Sequence, residues 1–250
     1  MDLDVSEASK GDGLKTAFDT VVAPKDAFER LRSRPTWGWA CLIAIVLLVG
    51  GYALQRPAQL HAAIGTLQHM MATNSFFSSL TDAQKQRAIE NASHPAAVQT
   101  ALGYAGVLVS LFIAVLINSV VLLIANVAAR GSADFRRLWA GSMNVAVPTF
   151  GLNYVVLGII CLALGADHFQ TTGDVVRALP GVATIFPEVR GPLGGFLMGI
   201  NVFTLWGFAL NVTMMRVLAG VRGAAGWIAP LVVLLGGAAI IAASSNFYGG

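Results

Sequence analysis

Apolar residues gather in five long runs, roughly Trp37 to Leu54, Ala101 to Ala129, Leu138 to Ala166, Pro192 to Met215 and Ala225 to Ser245, and none contains a charged side chain. A bilayer core about 30 Å thick needs around 20 apolar residues in helical form. Only helices or closed barrels satisfy their backbone in lipid, and these runs lack the alternating polar residues of a barrel strand. The pattern therefore predicts an all-α membrane protein with five transmembrane helices. The 36 residues before the first run hold no apolar core of a signal peptide, so that run reads as an uncleaved first helix.

The polar stretches between the runs have their own organisation. Residues 1–13 are polar and mixed in charge, with Gly11 and Gly13, and are expected to be a disordered tail. Residues 14–36 form a juxtamembrane amphipathic segment, where Pro24 suits a first helical turn and Phe28 and Leu31 share a face. A basic amphipathic segment docks on an anionic leaflet or an acidic partner. Lys25, Phe28, Arg30, Leu31 and Arg32 are accordingly candidate lipid or partner contacts. In the first loop, residues 55–100, Leu60, Ile64, Leu67 and Met71 keep helical spacing, predicting a helix over 58–72. A second starts at Thr81, with Gln84 completing a capping box, and runs to about Asn91. The third loop, residues 167–191, is rich in Gly and Pro and predicts at most one helical turn near Val175 to Leu179.

Charge placement adds an orientation. Eleven of the sixteen Lys and Arg residues lie before the first run or in the second and fourth loops. The positive-inside rule then puts the N-terminus in the cytoplasm and the C-terminus outside, as expected for a bacterial inner-membrane protein. Trp37, Trp39, Trp139 and Trp227 fall at the same predicted interface. The net charge of +3 is too small to imply nucleic-acid binding. Charged residues make up 12% of the chain, against roughly 25% in soluble domains, and the mean hydropathy is +0.68.

Candidate chemistry is sparse. No Asp, Glu, Lys, Arg or His interrupts a run, which argues against ion or proton coupling. His61, His69, His94 and His168 all fall in predicted outer loops without ligand spacing, so no metal is expected. The chain has neither an HExxH nor a Walker motif, and no catalytic residue or cofactor is assigned. Cys41 and Cys161 lie near opposite ends of their spans, and no disulfide is expected. The polar residues within the runs are mostly asparagines. Asn126, Asn144 and Asn211 fall in the cytoplasmic halves, and Asn118, Asn153 and Asn201 nearer the midplane. They form either a polar lock between helices, at roughly 0.6 to 2 kcal/mol per bond, or a pocket for a small molecule or headgroup. Gly195 and Gly199 make a GxxxG suited to helix packing, while Pro148 and Pro230 should loosen their spans.

Several short motifs then fall in a familiar order. Phe18-Asp19 precedes Pro24-Lys25-Asp26-Ala27-Phe28-Glu29-Arg30-Leu31 and Pro35, and Leu80 to Arg87 reads Leu-Thr-Asp-Ala-Gln-Lys-Gln-Arg. Phe135-Arg136-Arg137-Leu138 comes before the third run, with Pro148 ten residues after Leu138, and Gly220 to Ala225 links the last two runs. With five spans and a cytoplasmic N-terminus, this resembles the bacterial branch of the Yip family (Ypt/Rab-interacting proteins). The resemblance implies an integral membrane protein without enzymatic activity. Eukaryotic relatives contact small GTPases, but their Asp-Leu-Tyr-Gly-Pro signature is absent here, so small-GTPase binding is not carried over. The partners expected are membrane lipids and another membrane protein or a second copy. Two functions follow: a scaffold or accessory subunit of a membrane complex, or a transporter or lipid-handling protein that uses the asparagine layer. Reporter fusions test the topology. Those after Asn74 and Gln170 should report the outer side, and those after Ser132 and Gly223 the cytoplasm; one reversed result changes the span count.

Overall fold

A computed structural model of the chain describes residues 3–73 and 79–244, and of residues 3–11 only the backbone. Residues 1–2 of the expected tail, residues 74–78 of the first loop and Ser245 of the last expected span lie outside the described residues. The elements are helical: α1 (Leu3–Val22), α2 (Pro24–Ser33), α3 (Gly38–Thr73), α4 (Asp82–Ser93), α5 (Ala97–Ala128) and α6 (Phe135–Ala146). A π-helical turn (Val147–Leu152) leads into α7 (Asn153–Leu164). After these come α8 (Thr172–Arg177), α9 (Val182–Ile185), α10 (Gly191–Met198), α11 (Val202–Val217) and α12 (Ala225–Ser244). Among the described residues, four helical stretches are long and apolar enough to cross a membrane: α3, α5, α6 through α7, and α12.

The third loop, where at most one helical turn is expected near Val175 to Leu179, instead holds α8 and α9, and a 3-10 turn (Ala166–His168) leads into it. Helix α1 reaches back to Leu3, where a disordered tail was expected; Gly11 and Gly13 lie within it, and Gly13 faces Trp39. Helix α3 does not end at Leu54 but runs through Pro57 to Thr73, merging the first span with the predicted loop helix. Its buried positions, Gly51, Gln55, Ala58, Ala62 and Thr66, continue one helical stripe past the proline. The expected fourth span is broken. Between α10 and α11 the chain is extended, and Val182 donates to the Ile200 carbonyl at 2.9 Å while Val202 donates to that of Pro180 at 3.1 Å. These bonds replace the ones a continuous helix would have made.

The chain divides into two compact units. The first contains residues 1–48, 108–153 and 203–236. Its core packs Phe28, Leu31, Leu122, Leu138, Leu210, Met214, Met215 and Leu218, all essentially without exposed surface. Helix α1 packs on α2, α6 and the π turn. Loops two and four meet here, with the Ser132 amide donating to the Ala219 carbonyl at 2.9 Å. The π turn has a local cause. Pro148 has no N–H to give the preceding turn, and the Thr149 hydroxyl donates to the Val145 carbonyl at 2.9 Å.

The second unit contains residues 49–107, 154–202 and 237–250. In it the first and third loops meet: His61 bonds the Phe169 carbonyl through Nδ1 at 3.0 Å, and the Thr172 amide donates to Thr66 Oγ1 at 3.1 Å. Helix α3 lies backbone to backbone against the start of α7. A Cβ at Gly158 would come 2.9 Å from the Gly51 carbonyl and 2.7 Å from Leu54 Cβ, and one at Gly51 would meet the Tyr154 backbone. Both glycines are there because nothing larger fits. Gly51→Val should therefore force α3 and α7 apart, lowering the midpoint of thermal unfolding in detergent by several degrees, whereas Gly50→Val, at open space on the next residue, should leave it nearly unchanged.

Candidate functional site

Helix α5 is built inside out relative to a helix of a water-soluble protein. Its exposed face carries Val109, Ile113, Leu116, Val120, Ile124 and Val127, with Ile124 65% and Val127 68% exposed. Its buried face carries Leu111, Val115, Asn118, Ser119, Leu122 and Asn126. A contiguous apolar exterior of this kind is costly in water and ordinary in lipid. Asn118, Ser119 and Asn126 have gone inward instead, where they need partners.

The centre of this interior is a reciprocal amide pair. Asn118 Nδ2 donates to Asn211 Oδ1 at 3.2 Å, and Asn211 Nδ2 returns a bond to Asn118 Oδ1 at 3.1 Å. Asn118 Nδ2 also donates to Ser142 Oγ at 2.8 Å. Helices α5, α6 and α11 are thus joined through three buried side chains. By sequence position Asn118 and Asn211 lie at different depths, because the fourth apolar run begins at Pro192. Helix α11 starts only at Val202, so Asn211 sits near its middle and level with Asn118. Ser142 escaped notice because a lone serine in an apolar run carries no sequence signal of its own.

The other asparagines do different work. Asn126 does not reach another span: Nδ2 donates to the Ala133 carbonyl at 2.8 Å and Oδ1 accepts from the Ala133 amide at 3.4 Å. It ties loop two to the end of α5. Asn144 Nδ2 donates to the Thr36 carbonyl at 3.1 Å and to Ala140 at 2.8 Å, anchoring the chain just before α3. Its Oδ1 is buried with no partner. Asn153 is half-buried at the start of α7, and Asn201 is buried in the extended link beside Gly181. The six asparagines therefore do not form one layer.

The remaining candidates also sort themselves. Gly199 lies at the end of α10 against α12, where a Cβ would come 2.5 Å from Ala238 Cα, and Gly195 is buried in α10. Phe28 and Leu31 are fully buried in the chain's own core, which corrects their reading as a lipid or partner contact: that face of α2 is already occupied. Arg30 pairs with Asp19 and donates through Nε to Thr16 Oγ1 at 3.2 Å, and Lys25 stands 3.9 Å from Glu29. Arg32 remains exposed. Two residues outside the predicted set hold the second unit together. Gln55, beyond the predicted end of span one, donates to the Tyr154 carbonyl at 2.8 Å; its place in the Gly51–Thr66 stripe was the available signal. Arg177 clamps the third loop by donating to the carbonyls of Pro187 at 2.6 Å and Val189 at 3.0 Å. Burial, with nearby Arg190, lowers its affinity for its proton, and Asp174 opposes that shift.

An apolar exterior, a self-bonded polar interior and four helices of spanning length define an all-helical membrane protein. The chain is similar to "Membrane protein YknW" of Bacillus subtilis (strain 168), 20% identical over 219 residues that cover 86% of this chain and 84% of that protein. No protein-family model matches the chain, and no solved structure matches it.

The amide pair makes a specific prediction. Asn118→Leu leaves the Asn211 amide without its partner, and Asn211→Leu leaves Asn118 with Ser142 alone; each should cost about 1–3 kcal/mol. The double replacement removes both amides, leaving only the Ser142 hydroxyl to find a new partner, and should cost less than the sum of the two singles. Thermal unfolding of the four proteins in one detergent measures this; strictly additive losses would mean the pair is not coupled.

Proposed function

We propose that the protein is a non-enzymatic integral membrane scaffold or accessory subunit of the Yip type, in the bacterial inner membrane, with its N-terminus in the cytoplasm and its C-terminus outside. In this reading the protein crosses five times, the fourth crossing being made by α11 with α10 and the extended link. The pairing of loops supports that alternation: loop two bonds loop four, and loop one bonds loop three. The bacterial membrane protein it resembles, matched over most of both chains, supports the membrane setting.

The observation that carries the scaffold role is the mutual bonding of the polar centre. Asn118, Asn211 and Ser142 bond to one another, so they are committed to joining helices rather than held open for a solute. One feature favours the alternative, a transporter or lipid-handling protein: the interrupted α10–α11 segment, since discontinuous spans line binding sites in secondary transporters. Affinity purification from native membranes, paired with solute and lipid flux in liposomes holding this protein alone, separates the two. A fixed co-purifying membrane protein without flux is the expected result. Flux that Asn118→Leu abolishes would overturn it.

A further inference from the structure

Burying Phe28 and Leu31 leaves the N-terminal segment with a different apolar face. On α1, Gly13, Thr16, Ala17 and Thr20 are buried. On the opposite side Leu14, Phe18 and Val22 stand 47%, 66% and 60% exposed. Their spacing of four residues lines them along one stripe of the helix. Three large apolar side chains in a row, one of them an aromatic, are a costly surface to leave in water.

The surroundings of this stripe point to lipid as what covers it. Helix α1 packs by its buried face against α2, α6 and the π turn, all elements of the first unit. At Gly13, one residue before the stripe begins, a Cβ would lie 3.0 Å from Trp39 Cδ1. Trp39 and Trp37, 40% and 43% exposed, sit at the entry to α3, the position that amphipathic rings favour at a membrane surface. Helix α1 is thus held beside the entry to α3 by one face, and Leu14, Phe18 and Val22 stand on the other. Arg30 is engaged by Asp19 and Arg34 by Asp12 at 3.0 Å, while Arg32 and Lys15 stay exposed, so the apolar stripe supplies the part of the attraction that does not depend on anionic lipid.

We propose that α1 is an interfacial helix, lying in the headgroup region with Leu14, Phe18 and Val22 in the acyl boundary of the leaflet. The inference rests on the membrane reading and is independent of the scaffold role. It can be tested with the full chain carrying Cys41→Ala and Cys161→Ala, reconstituted in phosphatidylcholine vesicles with and without phosphatidylglycerol. Single cysteines at Phe18→Cys, Glu29→Cys and Ile124→Cys carry an environment-sensitive fluorophore, and Leu14→Cys serves as a second stripe position. Labels at 14 and 18 should be severalfold more quenched by lipids bearing a nitroxide near the headgroup than the label at 29. They should be severalfold less quenched by aqueous iodide, and equally so in both vesicle types. Iodide access equal to that at 29 would overturn the inference. So would shielding from both quenchers, which would mean a second copy covers the stripe, or shielding seen only with phosphatidylglycerol. If the label at 124 also escapes the lipid quencher, the membrane reading itself fails.

Discussion

Lipid offers no hydrogen bonds, so a polar group carried into it must be satisfied by the chain itself. The rest of this structure depends on that constraint. It turns α5 inside out, with Asn118 and Asn126 facing in and Ile113, Ile124 and Val127 facing out. It makes the Asn118–Asn211 exchange, with Ser142, the means by which three helices recognise one another. The same constraint governs the backbone. Where Pro148 removes a donor, a π turn and the Thr149 hydroxyl compensate, and where the chain leaves helical form at Gly199, the Pro180–Val182 segment supplies the missing partners.

A buried N-terminal hairpin changes how the protein meets its surroundings. Phe28 and Leu31 lie in the same core as Leu122, Leu138 and Met214, so α2 is a structural part of the first unit rather than an appended anchor. The ion pairs of Arg30 and Arg34 with α1 fasten the two helices together, although exposed pairs of this type contribute little individually. Removing the segment would expose the ends of α5, α6 and α11.

Close backbone approach is the second means of cohesion, and it works where polar bonds are few. Gly51 and Gly158 let α3 and α7 touch main chain to main chain, and Gly199 does the same for the end of α10 and α12. In a membrane the gain comes from packing, since lipid tails are as apolar as leucine. Gln55 adds one bond to a carbonyl of the facing helix at that contact. The GxxxG read from sequence contains one such position, Gly199, but the tightest approaches fall at glycines that no motif marks.

The hydrophobic pattern by itself determined the solvent this chain folds in, the helical class, and four of the spans to within a few residues at most of their ends. That information is local: a run of apolar residues with no charge has few alternatives, and the capping box at Thr81 and Gln84 is read from four consecutive residues. Tertiary structure decided everything that depends on which side of a helix faces which neighbour. Amphipathicity showed that Phe28 and Leu31 share a face but not that the face is already covered from within. Six asparagines looked alike as polar intrusions, yet one pair bonds across spans, one ties a loop and one anchors the chain before α3. The broken fourth span is as apolar as an unbroken one, and only the hydrogen bonds from residues twenty positions earlier make its extended link affordable. A proline inside α3 and a missing serine signal mislead for the same reason: their meaning lies in contacts far along the chain, which composition and period do not encode.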